Sequence, residues 1–349
     1  MDKKIITTIS SNLDSPKLTN WNQYLESQDN ACFYQLLEWQ YINSTYFGHK
    51  IYCITAEIDN KLVGVLPVVS IKSIFFGHIL SSMPFVNYGS SCSDSTDIDR
   101  QLIDAVCKLA NDKNTDYVEL RSITPSAVGL KETTNKISLT LDLDVNYQSI
   151  WDSYKSKHRT NIRRVYKNGI TTKFGGEELL NDFYQIISKS WRTLGTPIYS
   201  IKYFEKIFTH LHRHITIFVA YKDGVPIAAA LNGYYKKTVE GMWLGIDQSY
   251  RTLQPSYVLY WEMIKHACES GYTSFHLGRS SVDSGGESFK KKWNAETKQL
   301  YWQYYLNRAK DMPNLNPSNP KYKYFINMWS RMPLKATQML GPLISKYIP

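Results

Sequence analysis

Residues 276–296 read HLGRSSVDSGGESFKKKWNAE. A run from Tyr272 to Leu277 stops at Gly278-Arg279-Ser280-Ser281, a polar glycine-bearing loop follows, and Lys290, Lys291 and Lys292 stand between Phe289 and Trp293. An arginine at a strand end can grip a carboxylate or phosphate with paired N–H donors. Strand ends and the loops after them are common places for ligand-binding residues. A structural ion pair would use Arg279 equally well. Phe289 and Trp293 are four residues apart, so on a helix they share a face. Burying that face restricts which lysine can turn inward, and Lys290 is the candidate. The alternative is a solvated charge run with one member touching Glu287 or Glu296.

A second group of cations lies in DVNYQSIWDSYKSKHRTNIRRVYKNGI (144–170). Trp151, Tyr154, Ile162 and Val165 fall at helical spacing and Gly169 is a helix stop. Around that stripe Lys155, Lys157, Arg159, Arg163, Arg164 and Lys167 face only Asp152, which suits a phosphate-bearing ligand or, alternatively, a solvated helix. Trp191, Arg192, Gly195, Thr196 and Pro197 spell WRxxGTP, but the chain has no GxxxxGK[ST] phosphate loop. Asn87 and Tyr88, in PFVNYGS, are candidates for an acceptor pocket or for a tight turn. Neither GxSxG nor a Cys/His nucleophile signature is present.

The 349 residues suffice for two domains with their own cores, and 43% hydrophobic content is that of a globular chain. A net charge of +10, from 41 Lys+Arg against 31 Asp+Glu, favours an anionic partner such as a phosphate-bearing substrate, RNA or an acidic membrane surface. Five scattered cysteines without CxxC spacing predict reduced thiols and no structural zinc. His210, His212 and His214 alternate before an apolar run, which predicts one solvated strand face. The first residues lack the apolar core of a signal peptide, and no stretch approaches about 18 apolar residues. A cytoplasmic protein is expected.

The elements that must hold these residues repeat. IYCITAEIDNKLVGVLP (51–67) and ITIFVAYKDGVPIAAAL (215–231) both read as strand, two-residue turn and strand, aligning Ala56 with Ala220 and Asp59 with Asp223. Asp-Gly between apolar runs is a strong hairpin signal. LIDAVCKLANDKNTDYVELRS (102–122) and LYWEMIKHACESGYTSFHLGRS (259–280) then both read as helix, turn and a strand ending in Arg-Ser. Two copies of one α/β unit, each a mixed sheet with helices against it, are predicted. The expected divisions are 1–143, 144–310 and a proline-containing basic tail, 311–349.

A hairpin, helix and strand in tandem, joined by a basic helix, resembles the FemAB family, double GNAT-like proteins that add amino acids to peptidoglycan precursors. KSKHRTNIRRVYKNGI (155–170), WRTLGTPIYSIKYFEKIF (191–208) and SSVDSGGESFKKKWNAE (280–296) carry the resemblance. GVLPVVSIKSIFFGHILSSMPFVNYGS (64–90) and NPSNPKYKYFINMWSRMPLKATQMLGPLISKYIP (316–349) are similar to a subgroup associated with PEP-CTERM and exopolysaccharide systems. Tyr166, in place of a small residue, and Asn294, in place of a glycine, depart from the pattern. The long coiled-coil arm of tRNA-using members is missing.

The resemblance implies an α/β (α+β) fold of two tandem GNAT-like domains and N-acyl or aminoacyl transfer to an amine of a peptidoglycan or polysaccharide precursor. It makes Lys290, Arg279 and Ser281 the candidate catalytic residues. Lys157, Arg159, Arg163, Arg164, Trp191, Thr196, Asn87, Tyr88, Ser280 and Phe289 are the candidate substrate contacts. No metal or tightly held cofactor is expected. The donor would be aminoacyl-tRNA or another activated acyl carrier. Pro255 and Ser256 stand where a pyrophosphate-cradling loop would need glycines, which argues against acetyl-CoA. Expected partners are a nucleotide-sugar or lipid-linked precursor, tRNA, and the inner membrane face through the basic tail; docking against the second domain is the tail's other reading. The competing functional class is a non-catalytic module binding an anionic glycan or RNA.

Overall fold

The computed structural model describes residues 4–73, 76–313 and 320–348. Ile74-Phe75 of the 64–90 stretch and the first residues of the 316–349 stretch lie outside the described residues. The chain forms two compact units. One comprises Met1–Ile137, Lys298–Asn314 and Lys346–Pro349, and the other Ser138–Thr297 and Leu315–Ser345.

The first unit begins with β1 (Ile6–Ser10), α1 (Trp21–Ser27) and α2 (Glu38–Thr45), followed by the hairpin β2 (Lys50–Ile58) and β3 (Lys61–Ser73). It continues through β4 (Gly77–Ser81), the short β5 (Cys92–Ser93), α3 (Thr96–Asp112), β6 (Tyr117–Ser122) and β7 (Lys131–Thr133). The second unit takes β8 (Lys136–Asp142), α4 (Tyr147–Ser153), α5 (Ser156–Lys167), β9 (Ile170–Gly175), α6 (Leu180–Thr193) and α7 (Ile201–Leu211). Then come β10 (Ile215–Lys222), β11 (Val225–Tyr235), β12 (Thr238–Ile246), α8 (Ser256–Glu269), β13 (Ser274–Ser281), α9 (Gly285–Lys291) and β14 (Glu296–Gln299). β15 (Tyr301–Leu306) returns to the first sheet, and α10 (Pro320–Arg331) and α11 (Leu334–Ser345) close the chain.

The first sheet has the order β1-β2-β3-β4-β6-β15-β7, with β5 on β3, and the second β14-β8-β13-β12-β11-β10-β9. The two compact units meet at Ile137/Ser138, close to the division at 143/144 read from the sequence, and again at Thr297/Lys298. β8 belongs to the second sheet, and β15, from after the second unit, completes the first. Strand pairing depends on contacts distant in sequence, which local patterning does not encode.

The predicted repeat is present down to its irregularities. Asp59 and Asn60 turn the first hairpin at φ of 51° and 61°, and Asp223 and Gly224 the second at 52° and 78°. Positive φ at both central residues gives the twist that antiparallel strands need. A β-bulge follows Ala56 in one hairpin and Ala220 in the other. α3, capped by the Ser95 hydroxyl, lays Leu102, Val106 and Leu109 on Ile54, Leu66 and Val68 to form the first core. Each sheet contains a parallel pair next to antiparallel strands, β4 with β6 and β12 with β13.

Two local expectations are corrected. The single basic helix is broken at Tyr154 and Lys155 into α4 and α5. Arg159 bridges the break by donating from Nη1 to the carbonyls of Asp152 (2.9 Å) and Tyr154 (2.8 Å). His210 lies in the last turn of α7 and His212–His214 form a 3₁₀ turn, so the three histidines are not on a strand; β10 starts at Ile215. α10 and α11 pack on the α6 end of the second unit, where a Cβ on Gly195 would lie 2.5 Å from Ile326 and one on Gly341 2.6 Å from the Ile198 carbonyl. Their other side is exposed at Tyr324, Met328, Met339, Leu340 and Leu343.

Candidate functional site

β12 and β13 pair in parallel over only three positions, the last being Glu240 with His276. Past that point β12 stays on β11 and β13 runs on to Ser281, and the ladder between them stops. Met242 is the cause on one side. It is an extra residue between the pairs Asn232–Gly241 and Leu231–Trp243, and such a bulge bends and twists its strand. Gly241 and Gly278 form the crotch of this fork. A Cβ on Gly278 would stand 2.7 Å from the Gly241 carbonyl oxygen, and one on Gly241 3.0 Å from the His276 oxygen. Gly278 also has a φ of +82°, so a side chain is excluded on both counts.

α9 brings one lysine to the fork. The Ser284 hydroxyl caps the helix by accepting from the Glu287 amide, and Glu287 accepts from the Asp283 amide at 2.6 Å. Phe289 packs on Tyr257 and Tyr260, while the fully buried Trp293 lies against Tyr260, Tyr154 and His158. With that face anchored, Lys291 pairs with Glu287 at 2.6 Å and Lys292 lies over the Phe289 ring. Lys290 instead turns to β13, donating from Nζ to the carbonyls of Gly278 (2.7 Å) and Arg279 (3.1 Å). Burial, and then the neighbouring Arg279 charge, lowers the Lys290 pKa to about 7. An ammonium has three N–H donors, and these two bonds leave one for a ligand.

Around the fork, Ser280 is buried, Ser281 is exposed at the strand end and Arg279 is half-buried. His276 Nδ1 meets the buried Glu240 carboxylate at 2.8 Å. Sequence reading did not select this pair, although a carboxylate inside the apolar run VEGMWLGI was a signal, since a buried charge requires a partner. Asn294, where the resemblance expects glycine, holds φ of +59° and its amide reaches the Ser153 carbonyl at 3.3 Å. Asparagine is one of the few residues that tolerates this conformation.

The basic helix stands beside α9 through His158, whose ring meets Trp293 at 4.4 Å. Its cations differ in what they do. Arg159 bridges the helix break, Arg163 covers Trp151 at 5.2 Å, Arg164 donates to Gln254, and Lys157 is exposed. Tyr166 is bonded to Glu262. The WRxxGTP segment is the stop of α6: the Thr196 amide bonds the Trp191 carbonyl at 2.9 Å and Gly195 has a φ of +71°, with the Trp191 ring on Tyr199. Asn87 and Tyr88 belong to the first unit, where both contact Tyr34. There the strand pair ends differently: Ser82 bonds back to Glu119 and Arg121, and Arg121 forms a buried ion pair with Glu119 at 2.8 Å. The Arg-Ser echo is thus structural in the first unit.

Residues 153–291 match the acetyltransferase (GNAT) domain family. Among solved structures, FemX aligns with a TM-score of 0.65 at 15% identity, covering 83% of this chain and 96% of that one. The C-terminal domain of a protein assigned as a lysylphosphatidylglycerol synthetase, from Agrobacterium fabrum, gives 0.57 at 13%, covering 83% and 91%. A tandem GNAT protein from the clavulanic acid biosynthesis pathway gives 0.54 at 10%, covering 87% and 98%. A search of curated proteins finds no match. The fold is a tandem GNAT fold with two mixed sheets.

Proposed function

We propose that the protein transfers an acyl or aminoacyl group to an amine on a cell-envelope precursor, a peptidoglycan or polysaccharide intermediate, at the β12/β13 fork. The observation that carries this reading is Lys290 Nζ, bonded to the Gly278 and Arg279 carbonyls with one donor left over. The neutral amine attacks the donor carbonyl, a C–N bond forms, and the bond from that carbonyl to its carrier breaks. The Lys290 ammonium stabilises the oxyanion that develops and supplies a proton to the departing carrier, and the proton that the attacking amine sheds restores Lys290 to its charged form. Losing one such donor costs roughly 3–4 kcal/mol, or about 10²–10³ in turnover. Arg279 and Ser281, at the same strand end, are proposed to orient the donor. Ser280, Phe289, Trp191 and Thr196 are proposed as further contacts in the second unit, and Asn87 and Tyr88, separately, as lining an acceptor pocket within the first unit.

The similarity to FemX and to the lysylphosphatidylglycerol synthetase domain supports aminoacyl transfer in envelope chemistry. The donor is then an aminoacyl-tRNA or another activated carrier. Pro255 at the start of α8, preceded by Gln254 in a left-handed conformation, supports a donor other than acetyl-CoA. Lys157, Arg163 and Arg164 are the exposed cations proposed to meet precursor or tRNA phosphates. The reading includes a cytoplasmic protein in peripheral contact with the inner membrane face. Its support is the exposed apolar side of α10 and α11 with Lys323, Arg331 and Lys335 beside it. No helix among the described residues is long and apolar enough to cross a membrane.

Intact-mass analysis of envelope precursor pools from cells with wild-type protein, no protein or Lys290→Met tests the reading. An added acyl mass that depends on Lys290 supports it, and identical pools in all three overturn it.

A further inference from the structure

The first unit contains a cavity of about 540 Å³ whose lining includes Lys50, Lys72, Lys113, Lys346, His49 and His78. The sheet register explains the gathering. Lys50 pairs with Ser70 and Lys72 with His78, and Ser70 and Lys72 are two residues apart on β3. Cross-strand partners and i, i+2 neighbours share a sheet face, so these four side chains project together. Further along this face α3 covers the sheet, packing Val106 and Leu109 with Tyr52, Val68 and Leu80. α3 ends at Asp112, and Lys113 follows as its cap. The last carbonyls of the helix are taken by backbone amides, Lys113 to Leu109 and Asn114 to Asn111, both at 3.0 Å. Lys346 and Tyr347 close another side, with His49 Nε2 donating to the Lys346 carbonyl at 2.9 Å.

No carboxylate lines this cavity. The nearby Asp116 carboxylate accepts from the His78 amide at 2.7 Å. Among the described residues none of the four lysines has an ion pair. Both imidazoles are held neutral at physiological pH. Burial, with the Lys346 charge adding, pushes His49 down to about 4, and burial with the Lys72 charge lowers His78. Like charges lining one concavity repel one another, because screening by salt is incomplete within roughly 8 Å. A multiply charged anion relieves that repulsion. Aromatic surface from Phe47, Tyr52 and Tyr347 flanks the site.

We infer that this cavity binds a ligand carrying two or more closely spaced phosphate groups, held by Lys50, Lys72, Lys113 and Lys346. The site lies at the start of β4, the opposite strand end from where β4 and β6 finish pairing, and uses none of the residues of the β12/β13 fork. Such a ligand is either a soluble diphosphate or a diphosphate lipid headgroup, and two probes separate them. Titration calorimetry of the full chain with inorganic pyrophosphate is compared with co-sedimentation on vesicles of cardiolipin in phosphatidylcholine. Lys72→Ala/Lys113→Ala is tested against Lys61→Ala/Lys131→Ala, an exposed pair away from the cavity, with thermal melts to establish folding. Saturable pyrophosphate binding that weakens at least about tenfold in the first pair and not in the second supports a soluble ligand. Vesicle binding alone, lost in the first pair only, supports the headgroup. If neither probe binds, or both pairs behave alike, the inference is overturned.

Discussion

Lys290→Met separates the electrostatic state of the fork from its shape, because methionine matches much of the lysine stem but cannot be charged. Lysine ordinarily titrates at 10.5, and here burial lowers it to about 7. That interval corresponds to about 5 kcal/mol at about 1.4 kcal/mol per pH unit. Residual solvent contact reduces the effect, to roughly 2–4 kcal/mol. Below about pH 7 Lys290 is protonated in both the folded and the unfolded chain and adds no slope. Between about 7 and 10.5 the unfolded chain holds the proton and the folded one does not. Wild-type stability therefore rises with pH across this window relative to the variant. Urea denaturation of both proteins at about pH 6.5 and about pH 9.5 measures it. The stability difference should move toward wild type by roughly 2–3 kcal/mol on going to the higher pH. Parallel pH curves for the two proteins would refute the buried, partly deprotonated lysine and with it the pH dependence of its donor.

Other substitutions probe what holds Lys290 in place. Gly278→Ala forces a Cβ to 2.7 Å from the Gly241 oxygen at a φ of +82°, so it should destabilise by about 2–4 kcal/mol and abolish transfer; thermal melts and the precursor mass assay check both. Arg159→Ala removes the bridge between α4 and α5 and should cost about 1–3 kcal/mol in urea denaturation, with little change in precursor affinity if the bridge is its main role. Asn294→Gly should be nearly neutral, within about 1 kcal/mol, because relief at φ of +59° offsets the lost bonds to Ser153.

Much of both units was legible because local chemistry and tertiary position agree. Asp223-Gly224 and Asp59-Asn60 demanded tight turns and form them. Phe289 and Trp293 at helical spacing identified the inward lysine among three identical neighbours, since packing one face of α9 fixes its rotation. What escaped depends on partners distant in the chain. Glu240 and His276 become a pair only when β12 and β13 align in parallel, and nothing in either segment specifies that register. The histidine alternation at 210–214 mimicked a strand, but the apolar stripe of α7, Tyr203, Phe204, Ile207, Phe208 and Leu211, keeps the chain helical to Leu211. The structural use of Arg159 escaped because a helix break is invisible in composition: its Nη1 donates to the carbonyls that the break exposes.

The crossed assignment of β8 and β15 has a consequence for the order in which the protein can be made. The first sheet has β15 between β6 and β7, so it stays open at that place until residue 306 has left the ribosome. By then every strand of the second sheet has been synthesised. The first unit must therefore wait with unpaired strand edges, which are templates for misassociation. A cut at 143 would leave β8 on the wrong fragment and deprive the other of a central strand's neighbour. Neither piece of a chain cut there would carry a complete sheet.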